Sequence, residues 1–317
     1  MIDTTDLKSR RRPRFRRAEP PAFRITDDDV EMIRIVARHR FLRSSHIAAL
    51  VERSLDRTND RLSRLFHAGY LDRPRGQLDY YPTSGSAPMV YACALGDLGA
   101  VLLTERLGVD VSGLECSRQN REAGRPFIEH QLEIMDFYVA LQLSAKARSD
   151  ILIIHSDELI AGFPAQTRAM RNPLALRVAV SRGIEAHEVG LIPDLIFGIA
   201  FRDGSRKCFM VEIDRGTMPV SRSDLTQTSF ERKMRAYLAA HHARQHEQQF
   251  GWKTFRVLTV TKDQHRLRSI METLRNMQGA SAPGPALFLF ALRDDLGRSD
   301  PIRHHWRDGT GREIRLV

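Results

Sequence analysis

Two apolar runs joined by Arg202-Asp203-Gly204-Ser205 constrain this chain more than any other feature. Asp-Gly is a hairpin turn signal. Gly190–Phe201 and Lys207–Ile213 are therefore expected to be neighbouring antiparallel strands. Around them the spacing of apolar residues predicts further elements: a helix over 126–147, a strand at Ile151–His155, a helix over Leu225–His246, a strand at Thr254–Thr261, a helix at His265–Met277 and a last strand at Leu287–Leu292. Residues 161–188 read only as loop with short strands. Helices alternating with strands in this order predict an αβ sandwich with a mixed central sheet.

The hairpin carries acids at its open end. Asp194 follows Pro193, and Glu212 and Asp214 close the second run. Two carboxylates on adjacent strand ends can share a hard divalent cation, Mg2+ or Mn2+, through oxygen. Such an ion polarises a phosphate and supplies hydroxide for phosphodiester hydrolysis. Asp194 and Glu212 are the expected metal ligands. Three acids repel one another unless a cation offsets them. Arg215 and, from the following helix, Lys233 are the nearest candidates in sequence.

The first third reads differently. Thr26 before Asp27-Asp28-Asp29 is an N-cap signal, and Val30, Ile33, Val36 and Ala37 recur at helical spacing over Asp27–His39. Phe41-Leu42-Arg43 reads as a link. Ser44 or Ser45 would cap a second helix over His46–Val51, and a third runs from Ser54 to Ala68 until Gly69 ends it. Arg57, Arg61 and Arg64 fall on one face of that third helix, with Asn59, Asp60 and Ser63 beside them. Arginines so placed can reach phosphates or guanine edges in a major groove. Strands at Leu71–Arg73 and Val90–Leu95 would flank a loop in which Arg73 and Arg75 touch backbone phosphate or the minor groove. A helix at about 96–107 would pack on this domain or dimerise.

This region resembles bacterial winged-helix domains through the pattern RLxxLxxxGYL at 61–71, then Tyr91 and 95–99. The second half resembles the PD-(D/E)XK nuclease superfamily through Pro193-Asp194 and Glu212-Ile213-Asp214. The resemblance assigns catalytic roles to Asp194, Glu212 and Asp214, and makes Glu129 or Glu133 a candidate additional acid. Its pattern wants lysine where Asp214 stands. Lys233 and Tyr237, spaced i, i+4 on the next helix, match the supporting polar pair that the resemblance implies there, and Lys233 would replace the missing lysine. Both halves together resemble the bacterial replication-relaxation family, whose members are often plasmid- or mobile-element-borne. The run from 191 to 238, with LIPDLIFGIAF, CFMVEIDRGT and ERKMRAYL, carries the resemblance, and Glu212 with Asp214 to Thr217, followed by Lys233 and Tyr237, is its most specific part.

The expected fold is a two-domain α+β and α/β chain, with an N-terminal winged helix-turn-helix and a C-terminal restriction-endonuclease-like αβ sandwich. Its boundaries are 1–24 for a basic arm, disordered when free, 25–108 for the DNA-binding domain, 109–125 for a linker, 126–295 for the nuclease-like domain and 296–317 for a C-terminal tail. The formal net charge of +10 over 317 residues, with eight Lys or Arg in 1–24, favours a polyanionic partner. Double-stranded DNA is the expected one, and winged helices often bind as dimers, so a homodimer stays open. No apolar run reaches the roughly 18 residues needed to span a bilayer, and the N-terminus lacks a secretory h-region, so a cytoplasmic location is expected. No Gly-x-Gly-x-x-Gly or P-loop pattern supports a nucleotide cofactor. Three scattered cysteines exclude a disulfide framework, and the paired histidines at 241–246 and 304–305 are expected on the surface. The leading expectation is a DNA-binding protein of plasmid or mobile-element replication or relaxation. Two rivals stand beside it: an active metal-dependent DNA endonuclease, and a transcription regulator whose second domain only dimerises or senses a ligand.

Overall fold

The computed structural model describes residues 16–19, 22–74, 76–77, 90–93, 98–108, 120, 122–182, 185–278, 284–297 and 300–317. The chain divides into two compact units, Met1–Asp136 and Phe137–Val317. The division falls inside a long helix rather than in the expected linker, of which 109–119 and 121 lie outside the described residues. No helix among the described residues is long and apolar enough to cross a membrane.

The first unit begins with α1 (Asp27–His39). Thr26 caps it in a reciprocal box: its side chain accepts from the Asp29 N–H, and Asp29 Oδ2 accepts from the Thr26 N–H at 2.8 Å. α1 buries Val30, Met32, Ile33, Ile35 and Val36. Phe41–Arg43, expected as a link, is a strand, β1. Phe41 and Leu42 are fully buried and their backbone pairs with Val90–Cys93, β3. The helix α2 (Ser44–Leu50) is capped by Arg43 rather than by Ser44 or Ser45. The helix α3 (Leu55–His67) follows the cap Ser54 and buries Thr58, Leu62, Leu65 and Phe66, as its spacing predicts. Gly69, at φ +92, ends it: the Gly69 and Tyr70 N–H groups return to Phe66 O and Leu65 O. β2 (Leu71–Asp72) then pairs with β3, giving the sheet order β1-β3-β2. α4 (Leu98–Leu107) packs through Ala100 and Leu103, while Leu98, Val101 and Leu107 are exposed. The helix α5 (Arg125–Lys146) contributes Ile128 and Leu132 to a small core with Phe41.

In the second unit β4 (Ile151–Ile154) precedes two short helices, α6 (Ser156–Ala161) and α7 (Ala165–Arg168). The stretch without a clear reading then forms a hairpin of β5 (Leu176–Arg182) and β6 (Glu185–Leu191). Gly190–Phe201 is therefore two strands. β6 ends at Leu191 and β7 (Leu195–Phe201) begins a new sheet, because Pro193 has no N–H to extend a ladder. β7 and β8 (Arg206–Asp214) form the expected hairpin, closed by Gly204 at φ +80. β9 (Arg256–Thr261) and β10 (Phe288–Leu292) extend the sheet in parallel. Residues 306–314, expected within a tail, instead add β11 (Trp306–Asp308) and β12 (Glu313–Ile314) antiparallel to that edge. The full order is β12-β11-β10-β9-β8-β7-β4.

Helices α8 (Phe230–His242) and α10 (Gln264–Gln278) contribute Met234, Tyr237, Ile270 and Leu274 to the core that holds Met210, Val257 and Phe288 of the sheet. α8 is shorter than the expected Leu225–His246: Ser229 caps it, and Arg244 at φ +52 breaks the chain before α9 (Gln245–Phe250). An aromatic set of Phe137, Tyr138, Phe197, Phe209 and Trp306 forms a second packed group. Strand period two governs β8. Phe209 stacks on Phe197, whereas Cys208 and Met210 join the core of α8. Continuing that alternation puts Glu212 and Asp214 on the side of Cys208 and Met210.

Candidate functional site

The site is built where β7 and β8 meet the first turns of α8. Asp194 opens β7: its N–H donates to Val211 O at 3.0 Å, and its Oδ2 accepts from the Ile213 N–H at 2.8 Å. These bonds hold the Asp194 carboxylate beside the end of β8. Glu212 is 1% exposed. Lys233 Nζ donates to its Oε2 at 2.5 Å and the Tyr237 hydroxyl donates to its Oε1 at 2.6 Å. The i, i+4 pair on α8 therefore reaches the acid as the sequence suggested, one helical turn bringing both donors to one carboxylate.

Electrostatics follow from burial. Burial and the neighbouring Asp194 push the Glu212 carboxyl up to about 7, against the pull of Lys233 and Tyr237. Burial works against the Lys233 ammonium, but Glu212 and Asp194 outweigh it and hold its pKa above the usual lysine value. Burial, then Glu212, raises the Tyr237 phenol well above its ordinary range, so it remains a donor.

Asp214 has a different set of partners. Arg266 of α10 grips it with two bonds of 2.8 and 2.9 Å, and Thr261 Oγ1 donates at 2.8 Å. The same guanidinium reaches Met218 O at 2.6 Å. Its counter-ion comes from α10 and was not legible in the sequence, since Arg266 lies 52 residues away. Gly216, at φ +72, lies under the Lys262 side chain, where a Cβ would meet Lys262 Cε at 2.6 Å. Thr259, the register partner of Glu212, is fully buried, and its hydroxyl has no hydrogen-bond partner among the described residues. Nothing in its local sequence signals that placement. Glu129, the candidate additional acid, bonds to Arg125 at 2.9 Å.

Among the described residues no group of three His, Cys, Asp or Glu side chains could hold a metal ion. The donor set is narrower: Asp194 and Glu212, with both Glu212 oxygens already accepting bonds. Mg2+ is commonly held by one or two carboxylates with water completing its shell, and this pair fits that pattern. The expectation of surface histidines fails at His246, which is buried and stacked on His241 with ring centroids 5.1 Å apart. Burial lowers both of their pKa values.

The arginines of α3 do not share one exposed face. Arg57 is exposed and makes no ion pair or hydrogen bond with any described residue. Arg64 pairs with Asp60 at 3.0 Å, and Asn59 and Ser63 are half-buried. Arg61 turns inward. It grips both carboxylate oxygens of the completely buried Asp29, with Nε at 2.8 Å, and its Nη2 also reaches Arg24 O at 3.2 Å. Burial opposes ionisation of Asp29, but Arg61 and the Thr26 cap prevail and hold its carboxyl below the usual range. Arg73 is 4% exposed and lies 4.3 Å from the centre of the Phe66 ring, so it packs instead of projecting. Arg75 lies outside the described residues, as do residues 1–15 of the basic arm. The end of that arm is docked, not free: Arg17 Nε donates to Phe66 O at 3.2 Å and the Ala18 N–H to His67 Nδ1 at 3.1 Å.

Residues 33–254 match the sequence model of the replication-relaxation family. No curated protein and no solved structure matches the chain.

Proposed function

The chain belongs to the replication-relaxation family, and from that premise we propose that it binds duplex DNA in the replication or relaxation of a plasmid or mobile element. The first unit carries the reading. Its order of helix, strand, two helices and two strands, with the sheet ordered β1-β3-β2, supports reading it as a winged helix. In that arrangement α3 is the groove-facing helix, and the exposed, unpaired Arg57 is its leading contact, with Arg64, Asn59 and Ser63 behind it. The experiment is a gel shift of a duplex by wild type and Arg57→Glu at matched salt. Equal binding by the two would remove α3 from the interface.

One observation favours a second reading, a metal-dependent DNA endonuclease. Lys233 and Tyr237 both donate to Glu212 beside Asp194. That set supports a nuclease-like site in which Lys233 takes the place of the lysine expected at position 214. Mg2+ or Mn2+ would be held by Asp194 and Glu212 and would supply charge neutralisation at phosphate. Lys233 would offer an ammonium to the same phosphate, and Tyr237 would orient Glu212. Conversion of supercoiled plasmid with Mn2+ by wild type, but not by Asp194→Ala or Glu212→Gln, is the expected result. DNA binding without conversion by any of them would leave the second unit a binding scaffold.

A further inference from the structure

The guanidinium of Arg232 is half-buried and has no acidic partner among the described residues. Nη1 donates to Thr226 O at 3.1 Å, and Nε is buried with no hydrogen bond among the described residues. Neighbouring arginines differ: Arg235 pairs with Glu231 at 2.8 Å and Arg266 with Asp214. The buried Nε–H, which makes no bond among the described residues, is a donor left over for an incoming acceptor.

Arg232 and Lys233 line one cavity of about 100 Å³ at the start of α8, with Gly190, Ile192, Met218 and Thr228 among its walls. No acidic side chain lines it. The volume exceeds what one water needs and admits a tetrahedral oxyanion. The backbone of the helix start is already committed: the Phe230 and Glu231 N–H groups go to Pro219 O and Val220 O, and the Arg232 N–H goes to Ser229 Oγ. An anion would therefore be held by side chains. Lys233 donates one hydrogen bond to Glu212 Oε2 and keeps two N–H donors.

We propose that this cavity is a phosphate subsite, in which Arg232 and Lys233 hold a phosphate group next to the Asp194–Glu212 pair. The subsite rests on the reading of this chain as a DNA-binding protein and gives it a second, non-reacting phosphate contact, with Lys233 standing between this phosphate and the one at the acid pair. Arg232 then acts as a positioning residue, and Lys233 links the bound phosphate to the acid pair.

The test is a titration of inorganic phosphate into the full chain, followed by 31P NMR at constant ionic strength. Saturable binding by wild type, weakened about tenfold or more in Arg232→Gln and largely kept in Arg232→Lys, is expected. Absence of saturable binding, or equal binding by Arg232→Gln, overturns the proposal. Should Arg232→Gln fail to fold, Ile192→Trp, which fills the cavity from its exposed rim, must abolish binding instead, and unchanged binding there overturns it. Competition identifies the source. Displacement by closed-circular duplex assigns a backbone phosphodiester, and displacement by a 5′-phosphorylated but not a 5′-hydroxyl oligonucleotide assigns a terminal phosphate. Displacement by neither assigns free phosphate. Because the probe is the ion, phosphate binding by a chain that shifts no duplex would sink the DNA reading and leave the subsite standing.

Discussion

Lys233 Nζ lies 2.5 Å from Glu212 Oε2, joining the first turn of α8 to the last residues of β8. Glu212 has almost no access to water, so its charge depends on that ammonium and on Tyr237. Lys233→Met should cost about 3 kcal/mol, as for one partner lost from a buried pair. The loss should be larger near pH 8 than near pH 5, because a protonated Glu212 no longer needs a cation. Urea unfolding at both pH values measures this. An equal loss at both would show that packing, not charge, is what Lys233 provides.

Arg61 and Asp29 bind the third helix to the capping box of the first. Arg61→Ala is expected to destabilise the first unit by about 3–5 kcal/mol and to lose duplex binding through unfolding. Arg57→Glu should leave the melting temperature unchanged and cost about 1–3 kcal/mol of duplex affinity. Circular-dichroism melting beside a gel shift separates the two. A well-folded Arg61→Ala that fails to bind would restore Arg61 to the interface.

Asp214 and Arg266 form the matching clamp in the second unit. Asp214→Asn and Arg266→Ala should both lower the melting temperature, the second through a stability loss of about 3 kcal/mol or more. Asp194→Asn should change stability less and any Mn2+-dependent plasmid conversion more. Equal stability losses at Asp194 and Asp214 would place both in the same structural role.

Two acids are expected to respond to pH with opposite sign. The Asp29 carboxyl lies below its unfolded value, so its contribution is present above about 3.8 and is lost as pH falls through its folded value. The Glu212 carboxyl is raised from 4.5 to about 7. Its contribution is full below 4.5 and is lost as pH rises through about 7. Glu212→Gln should therefore lose less stability than wild type between about pH 5 and 8. Parallel stability curves would refute the raised value.

Trp306 is fully buried, meets Phe137 edge-on at 6.2 Å and donates its indole N–H to Pro301 O at 3.0 Å. Deleting residues 296–317 would bare the β10 edge and remove this ring. Trp306→Ala alone should cost about 3–5 kcal/mol. Truncation after Asp295 should aggregate, since an unpaired apolar edge templates association. A soluble truncated chain with native melting would mean that β11 and β12 contribute little.

Local spacing along the chain set the elements and the location of the acids. The Thr26 cap, the spacing within α3, the Asp203-Gly204 turn and the i, i+4 relation of Lys233 to Tyr237 are all properties of short stretches, set by backbone periodicity and turn chemistry. Membership of the family is likewise a property of the sequence over residues 33–254. Tertiary structure decided which charges are free. Arg57 and Arg61 have the same side chain on the same helix, yet only Arg61 meets a carboxylate, one 32 residues away on α1. Asp214 and Glu212 lie two residues apart on one strand, yet α10 neutralises the first and α8 the second. Strand boundaries at Phe41–Arg43 and 306–314 also depended on distant partners. An ion pair or an edge strand forms when separate elements approach within hydrogen-bond distance, and the packing of the whole core, rather than local spacing, sets that approach.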